Sequence, residues 1–203
     1  MSKIEKGKIA PLNVTQESRH RIFVGLGWDP NENTGLVDQA KALVKGQELH
    51  HDLDLSAYMF DKNKRYISHV SAEPGRHVDQ TGRVYHSGDN VEGIGDGDDE
   101  QISVELKKLD DVIHHILFKA SIKSGHSFGE VNDPEIRIVD AYSDYTFVHH
   151  NLKTEGGADK AAYVFVQVIR TLDGGWNLHH IDQYIDMVDD RDWVETLKPY
   201  LLA

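Results

Sequence analysis

The sequence predicts a mainly β protein, an antiparallel β-sandwich carrying an acidic, glycine-rich loop, and three observations predict it. Seven short segments rich in β-branched and aromatic residues are separated by Gly, Asp, Asn or Pro. Only two segments recur at helical spacing instead. A run of 23 residues, 84–106, holds seven carboxylates and neither lysine nor arginine.

The expected strands are 21–27, 52–60, 65–70, 113–122, 135–139, 145–148 and 161–169. Lys62-Asn63-Lys64 and Asp173-Gly174-Gly175 read as hairpin turns. Strands this short and this closely spaced suit a sandwich. The first helical segment is an inserted one, with Leu36, Val37, Ala40, Leu43 and Val44 in register, Thr34 as N-cap and Gly46 just past the end. The second begins near Asp190 and lines up Trp193, Val194, Leu197 and Leu201, with Pro199 set against its last turn. No internal repeat or low-complexity linker divides the chain. We therefore expect one domain over 1–203, with a core of about 20–185 and a C-terminal helix over about 190–202.

Composition narrows the function classes. With 203 residues, 39% of them hydrophobic and 28% charged, the chain has an ordinary globular balance. A net charge of −12 argues against unassisted binding to nucleic acid or anionic lipid, because such binding rests on lysine and arginine neutralising phosphate. The absence of cysteine excludes disulfides, thiolate metal sites and thiol nucleophiles. No apolar stretch reaches signal-peptide or membrane-spanning length, so the expectation is a cytoplasmic protein without an integral membrane segment.

The acidic run carries the chemistry. Carboxylates packed this densely repel, and no cation near in sequence compensates them. A hard divalent ion would, and Ca²⁺ takes six to eight oxygens from Asp, Glu, Asn and backbone carbonyls. Glycines 88, 93, 95 and 97 suit a chain that wraps an ion. The run is not an EF-hand: Asp96, Asp98 and Glu100 follow at i, i+2 and i+4, but the glycine and distal glutamate of that loop are missing. A solvated acidic turn is the plainer alternative. Asp52-Leu53-Asp54 adds two carboxylates on one face of a strand, with Leu53 and Leu55 on the other. That pattern equally suits a surface strand with an acidic outer face.

Thirteen histidines include four doublets, at 50–51, 114–115, 149–150 and 179–180. Neighbours on a strand face opposite ways, so a doublet cannot chelate one ion there, and hydrogen-bonding roles are expected. His86, bordering the acidic run, is the exception. Trp28 precedes Asp29 and is expected to pack beneath the ion end.

Gly25-Leu-Gly-Trp-Asp29, Asp52-Leu-Asp-Leu-Ser-Ala57, Ser87-Gly-Asp-Asn90, Gly95-Asp-Gly-Asp-Asp-Glu-Gln-Ile102 and Ser127-Phe-Gly-Glu-Val131 occur in the order of the TerD family, which the chain resembles over about 20–185. That is a bacterial family of calcium-binding proteins of tellurium resistance and stress response. The resemblance implies a β-sandwich with two or three Ca²⁺ ions at one end. It also implies ligands at Asp52 and Asp54 on the strand, Asp89 and Asn90 on the first loop, and Asp96, Asp98, Asp99 and Glu100 on the second. Asp29 belongs to the motif as a further candidate, and backbone carbonyls near Gly93 or Gly95 would complete the shells. Three features depart from the family: 22 residues, 30–51, between GLGWD and DLD, a loosely matching 151–162 segment, and the tail beyond Asp189.

The expected function is a non-catalytic calcium-binding module with protein partners in a stress-response assembly. A divalent-metal-dependent phosphoester hydrolase and a Ca²⁺-bridged, peripheral contact with anionic lipid are the alternatives. No catalytic residue is assigned. Gly25-Leu-Gly27 lacks the third glycine and following helix of a dinucleotide site.

Overall fold

Two antiparallel sheets pack face to face in the computed structural model, which describes residues 4–16, 20–31, 35–93, 97–154 and 156–202. One sheet runs in the order β1 (Ile9–Pro11), β11 (Trp176–Ile185), β10 (Ala162–Arg170), β7 (His115–Ile122), β3 (Leu53–Phe60) and β4 (Tyr66–Val70). The other runs β5 (Val84–His86), β6 (Glu100–Glu105), β2 (Arg21–Asp29), β8 (Asn132–Asp140) and β9 (Thr146–Asn151). The mainly β sandwich expected from the alternation is present, as are all seven expected strands.

Four strands escaped the sequence reading: β1, β5, β6 and β11. β5 and β6 lie inside the acidic run. That run is therefore two strands around a loop, and its Val84, Ile102 and Val104 are core residues. In β11, His179, His180, Asp182 and Gln183 hide the apolar alternation, although Trp176 and Leu178 do face the core.

Period-two burial builds the interior. Leu53, Leu55, Ala57 and Met59 of β3 meet Ile116, Phe118 and Ala120 of β7 and Ile22, Val24 and Leu26 of β2 between the sheets. The alternate residues of β3, including Asp54, Ser56, Tyr58 and Phe60, take the other face.

The C-terminal segment covers that face. It is a 3₁₀ turn (Asp190–Asp192), α2 (Trp193–Leu197) and a second 3₁₀ turn (Lys198–Tyr200). The single helix expected over 190–202 is thus broken, and Pro199, without an N–H to continue an α-helix, sits in the second turn. Trp193, Leu197 and Leu201 pack with Tyr58, Phe60, Leu117 and Val164. Lys119 is sealed beneath them, its Nζ 2.7 Å from Ser121 Oγ and 4.1 Å from the centre of the Trp193 ring. Burial pushes its pKa down to about 8.

The connection from β2 to β3 contains α1 (Leu36–Lys45). Gly46, at φ 68°, closes it by donating its N–H to the carbonyls of Ala42 and Leu43. Gly35 occupies the N-cap, and Thr34, the expected cap, lies outside the described residues. None of the α1 side chains is buried. Among the described residues no helix is long and apolar enough to cross a membrane.

β2 pairs antiparallel with β6, and β3 with β7. The ends of β2 and β7 and the starts of β3 and β6 therefore share one end of the sandwich. α1 lies at that end, where the Glu48 N–H donates to the Ser124 carbonyl just past β7.

Trp193 is 1% exposed and the largest fully buried side chain. Trp193→Ala should cost about 3–5 kcal/mol in urea unfolding. A loss below ~1 kcal/mol would show that the tail merely rests on the sheet.

Candidate metal centre

Four segments distant in sequence converge at this end. Asp29 closes β2, Asp52 and Asp54 lie at the start of β3, Asp89 and Asn90 follow β5, and Asp98, Asp99 and Glu100 lead into β6. Asp96 and Gly95 lie outside the described residues.

Glu100 is the innermost. Its side chain is fully buried, and Oε2 accepts the Leu55 N–H at 2.7 Å. β4 pairs β3 only from Ala57 to Phe60, so the edge at Leu55 has no strand beside it. A carboxylate from the other sheet takes that place. Burial pushes the Glu100 carboxyl above its ordinary pKa. The Gly88 N–H donates to His86 Nδ1 at 3.0 Å, which leaves the proton of a neutral ring on Nε2. Nε2 faces Glu100 Oε2 at 3.3 Å, in a geometry that falls short of a hydrogen bond.

Asp54 is 4% exposed, and its Oδ1 lies 3.2 Å from Lys123 Nζ. Burial holds its carboxyl up as well. Asp52 is half-buried, and burial raises its pKa to about 7, with the like charges of Asp54, Asp89 and Glu100 adding to the shift. Among the described residues, three buried carboxylate oxygens have no hydrogen-bond partner: Asp52 Oδ1, Asp54 Oδ2 and Glu100 Oε1. Leaving such oxygens unpaired is costly.

Asp99 forms the heart of a second group. Its Oδ2 accepts the Trp28 N–H at 2.9 Å and its Oδ1 accepts from Asn90 Nδ2 at 2.9 Å. Burial raises its pKa, and the charges of Asp98 and Asp29 add to the effect. Asn90 Oδ1 closes its own loop by accepting the N–H groups of Glu92 and Gly93. Gly93, at φ +65°, lies so close to Trp28 that a Cβ there would fall 2.5 Å from the indole. Trp28, 4% exposed, thus abuts the first loop from below.

Asp98 points elsewhere. Both of its oxygens accept from Arg137, from Nε and Nη2 at 2.9 Å each, across β2 at Gly25. A Cβ on Gly25 would fall 2.2 Å from Asp98 Cγ, and one on Gly27 would fall 2.8 Å from the Gly97 carbonyl oxygen. These two glycines are what let the second loop lie flat on β2, a role that sequence reading left unassigned.

Compensation for the crowded carboxylates comes from Lys123 and Arg137, both remote in sequence and absent from the sequence-based expectation. Among the described residues, no three His, Asp or Glu side chains close on one ion-sized point as they stand. The histidine doublets do not gather either. His115 contacts Gln167, His149 contacts Glu135, His150 contacts Tyr184, and His180 contacts the Ile4 carbonyl.

Comparison with known proteins gives a consistent kinship. The TerD domain model matches residues 1–187. The tellurium resistance protein TerZ of Serratia marcescens is 30% identical over 178 residues, covering 87% of this chain and 86% of that protein. A stress response protein of Bacillus subtilis is 28% identical, with 83% and 85% covered. The crystal structure of a homologue of the telluride resistance protein TerD from Streptomyces coelicolor superposes with a TM-score of 0.68 at 19% identity, over 86% of this chain and 94% of that one, a likeness of fold.

Two outcomes follow from the geometry. Asp52 binds a proton more tightly folded than unfolded, so its contribution to ion-free stability falls as pH rises from about 4 to about 7. Ion-free Asp52→Asn should melt a few degrees above the parent near pH 8, with the gap closing towards about pH 4. A gap independent of pH would contradict this assignment. Gly25→Ala, by expelling Asp98 from Arg137, should cost about 1–3 kcal/mol and be strongly non-additive with Arg137→Ala. Additive losses in a double-mutant cycle would separate the glycine from the ion pair.

Proposed function

The chain belongs to the TerD domain family, and from that premise we propose that it is a non-catalytic calcium-binding module acting through ion-dependent contacts in a stress-response assembly. The observation that carries this reading is the trio of buried, partnerless carboxylate oxygens on Asp52, Asp54 and Glu100. They supply negative charge and lone pairs, in a place where the protein itself provides too few donors.

The donor set suits calcium. It consists of hard oxygens, with Asn90 and loop carbonyls available to enlarge the shell to the six to eight that Ca²⁺ prefers. Two groups of acids suit two ions, one around Asp52, Asp54, Asp89 and Glu100, the other around Asp99 and Asp29 with Asn90 and Asp98 beside them. Asp96 and the carbonyls near Gly93 and Gly95 complete the set carried over from the family resemblance. Lys123 is the internal counter-ion that a cation at Asp54 would displace.

A non-catalytic role follows from the same chemistry. Calcium activates bound water poorly compared with zinc. The groove beside the second loop commits its Arg137 to Asp98 instead of leaving it for a phosphate substrate. The relatives' names speak of tellurium resistance and stress response, and the absence of cysteine makes thiol-based tellurite reduction untenable.

Calcium at a hundredfold excess over Kd should add about 2.7 kcal/mol of stability, read as a rise in melting temperature over the chelated protein. Magnesium should do less, because it demands a tighter octahedron and sheds water reluctantly. Asp89→Asn, at an exposed position, should shrink the calcium shift without harming the fold. The same titration should change Trp28 emission. A melting temperature indifferent to calcium would overturn the reading.

A further inference from the structure

α1 is mounted inside out. Leu36, Val37, Leu43 and Val44 are 84%, 66%, 83% and 88% exposed, and with exposed Ala40 they form one apolar stripe facing solvent. The opposite side, with Asp38, Lys41, Ala42 and Lys45, lines a cleft against His126 and Glu130. Lys45 Nζ lies 3.3 Å from Glu130 Oε1, and Gln47 Nε2 donates to both Glu130 oxygens. A surface helix of a globular domain ordinarily turns its apolar stripe inward. This one is held outward by polar contacts.

The exposed apolar side chains are concentrated at the ion end. Among the described residues twelve large hydrophobics are exposed, and six of them lie there: the four of α1, Val91 on the first acidic loop, and Met187 just past β11. We propose that this end is a calcium-dependent docking surface for an anionic phospholipid bilayer, with the α1 stripe entering the headgroup–acyl boundary. The proposal rests on the calcium reading above and names the partner of that same site.

Charge and area select this occupant. A chain of net charge −12 is repelled by an anionic membrane unless cations neutralise the approaching end, and the acidic loops are where they would sit. A short apolar stripe anchors only marginally by itself, so a second signal is required, and ions bridging carboxylate to lipid phosphate supply it. A second copy of the chain fits less well. The stripe is about 15 Å long and about 10 Å wide, far short of the ~800 Å² that each partner of a stable complex contributes. It also lacks the Trp, Tyr, Met and Arg that anchor protein interfaces.

The test is flotation of the full chain with phosphatidylcholine vesicles, with and without phosphatidylserine, in calcium or chelator. Binding is expected only with phosphatidylserine and calcium together. Leu43→Asp combined with Val44→Asp should weaken it by about tenfold or more, while the calcium-induced rise in melting temperature stays intact. A calcium-induced melting shift without vesicle binding would overturn the docking inference and leave the calcium reading standing. Absence of the melting shift would remove both. Vesicle binding that the double substitution leaves unchanged would overturn the role of α1. Concentration-dependent dimerisation abolished by that substitution would assign the stripe to a second copy instead.

Discussion

The hydrogen bond from the Leu55 N–H to Glu100 is the contact on which the acidic end depends. β4 pairs β3 no further than Ala57, so the first half of β3 would leave its edge unpaired inside the protein. Glu100, reaching across from β6, satisfies that N–H and ties the two sheets together. A neutral acceptor would have closed the edge as well. A carboxylate closes it and also imports a charge, and only one of its two oxygens is used. Asp54 repeats the pattern with Lys123 on one oxygen and nothing on the other. The fold thus concentrates unspent electrostatic demand at one place.

The loops that deliver these acids depend on close backbone approach more than on turn flexibility. Gly25 and Gly27 lie within β2, where glycine weakens a strand, because the second acidic loop passes directly over them. Gly93 does the same for the first loop against Trp28. A side chain on Gly25 would meet the Asp98 carboxylate, one on Gly27 the Gly97 carbonyl and one on Gly93 the Trp28 indole. The motif is therefore one packing unit: two glycines in a strand, a tryptophan beneath, and two loops laid over both.

Much of this was legible in the sequence, and what was not has a physical reason. β2, β3, β7 and β10 were legible because they are short runs rich in β-branched and aromatic residues, as strands buried along most of their length require. β5 and β6 were hidden because their charge density outweighed their three core residues. β11 was hidden because His179, His180, Asp182 and Gln183 break its apolar alternation. The acids that gather at this end were singled out by spacing and family resemblance, while Lys123 and Arg137 were not, since nothing local ties a cation to a carboxylate 69 or 39 positions away. Periodicity revealed α1 but is silent about which side faces the body.

The two cations that restrain the acids are not equivalent, and the difference bears on how the end responds to an arriving ion. Arg137 grips Asp98 with a planar fork, two directed hydrogen bonds lying across a strand that glycines keep clear. Lys123 touches Asp54 through one oxygen, on a flexible stem whose side chain is about one-third exposed. Displacing the lysine loses one contact and returns a strongly hydrated ammonium to water. Displacing the arginine loses two and leaves Asp98 to swing away from its place over Gly25. The Asp52, Asp54 and Glu100 group is therefore the yielding part of this end. The Asp98 loop is its rigid frame.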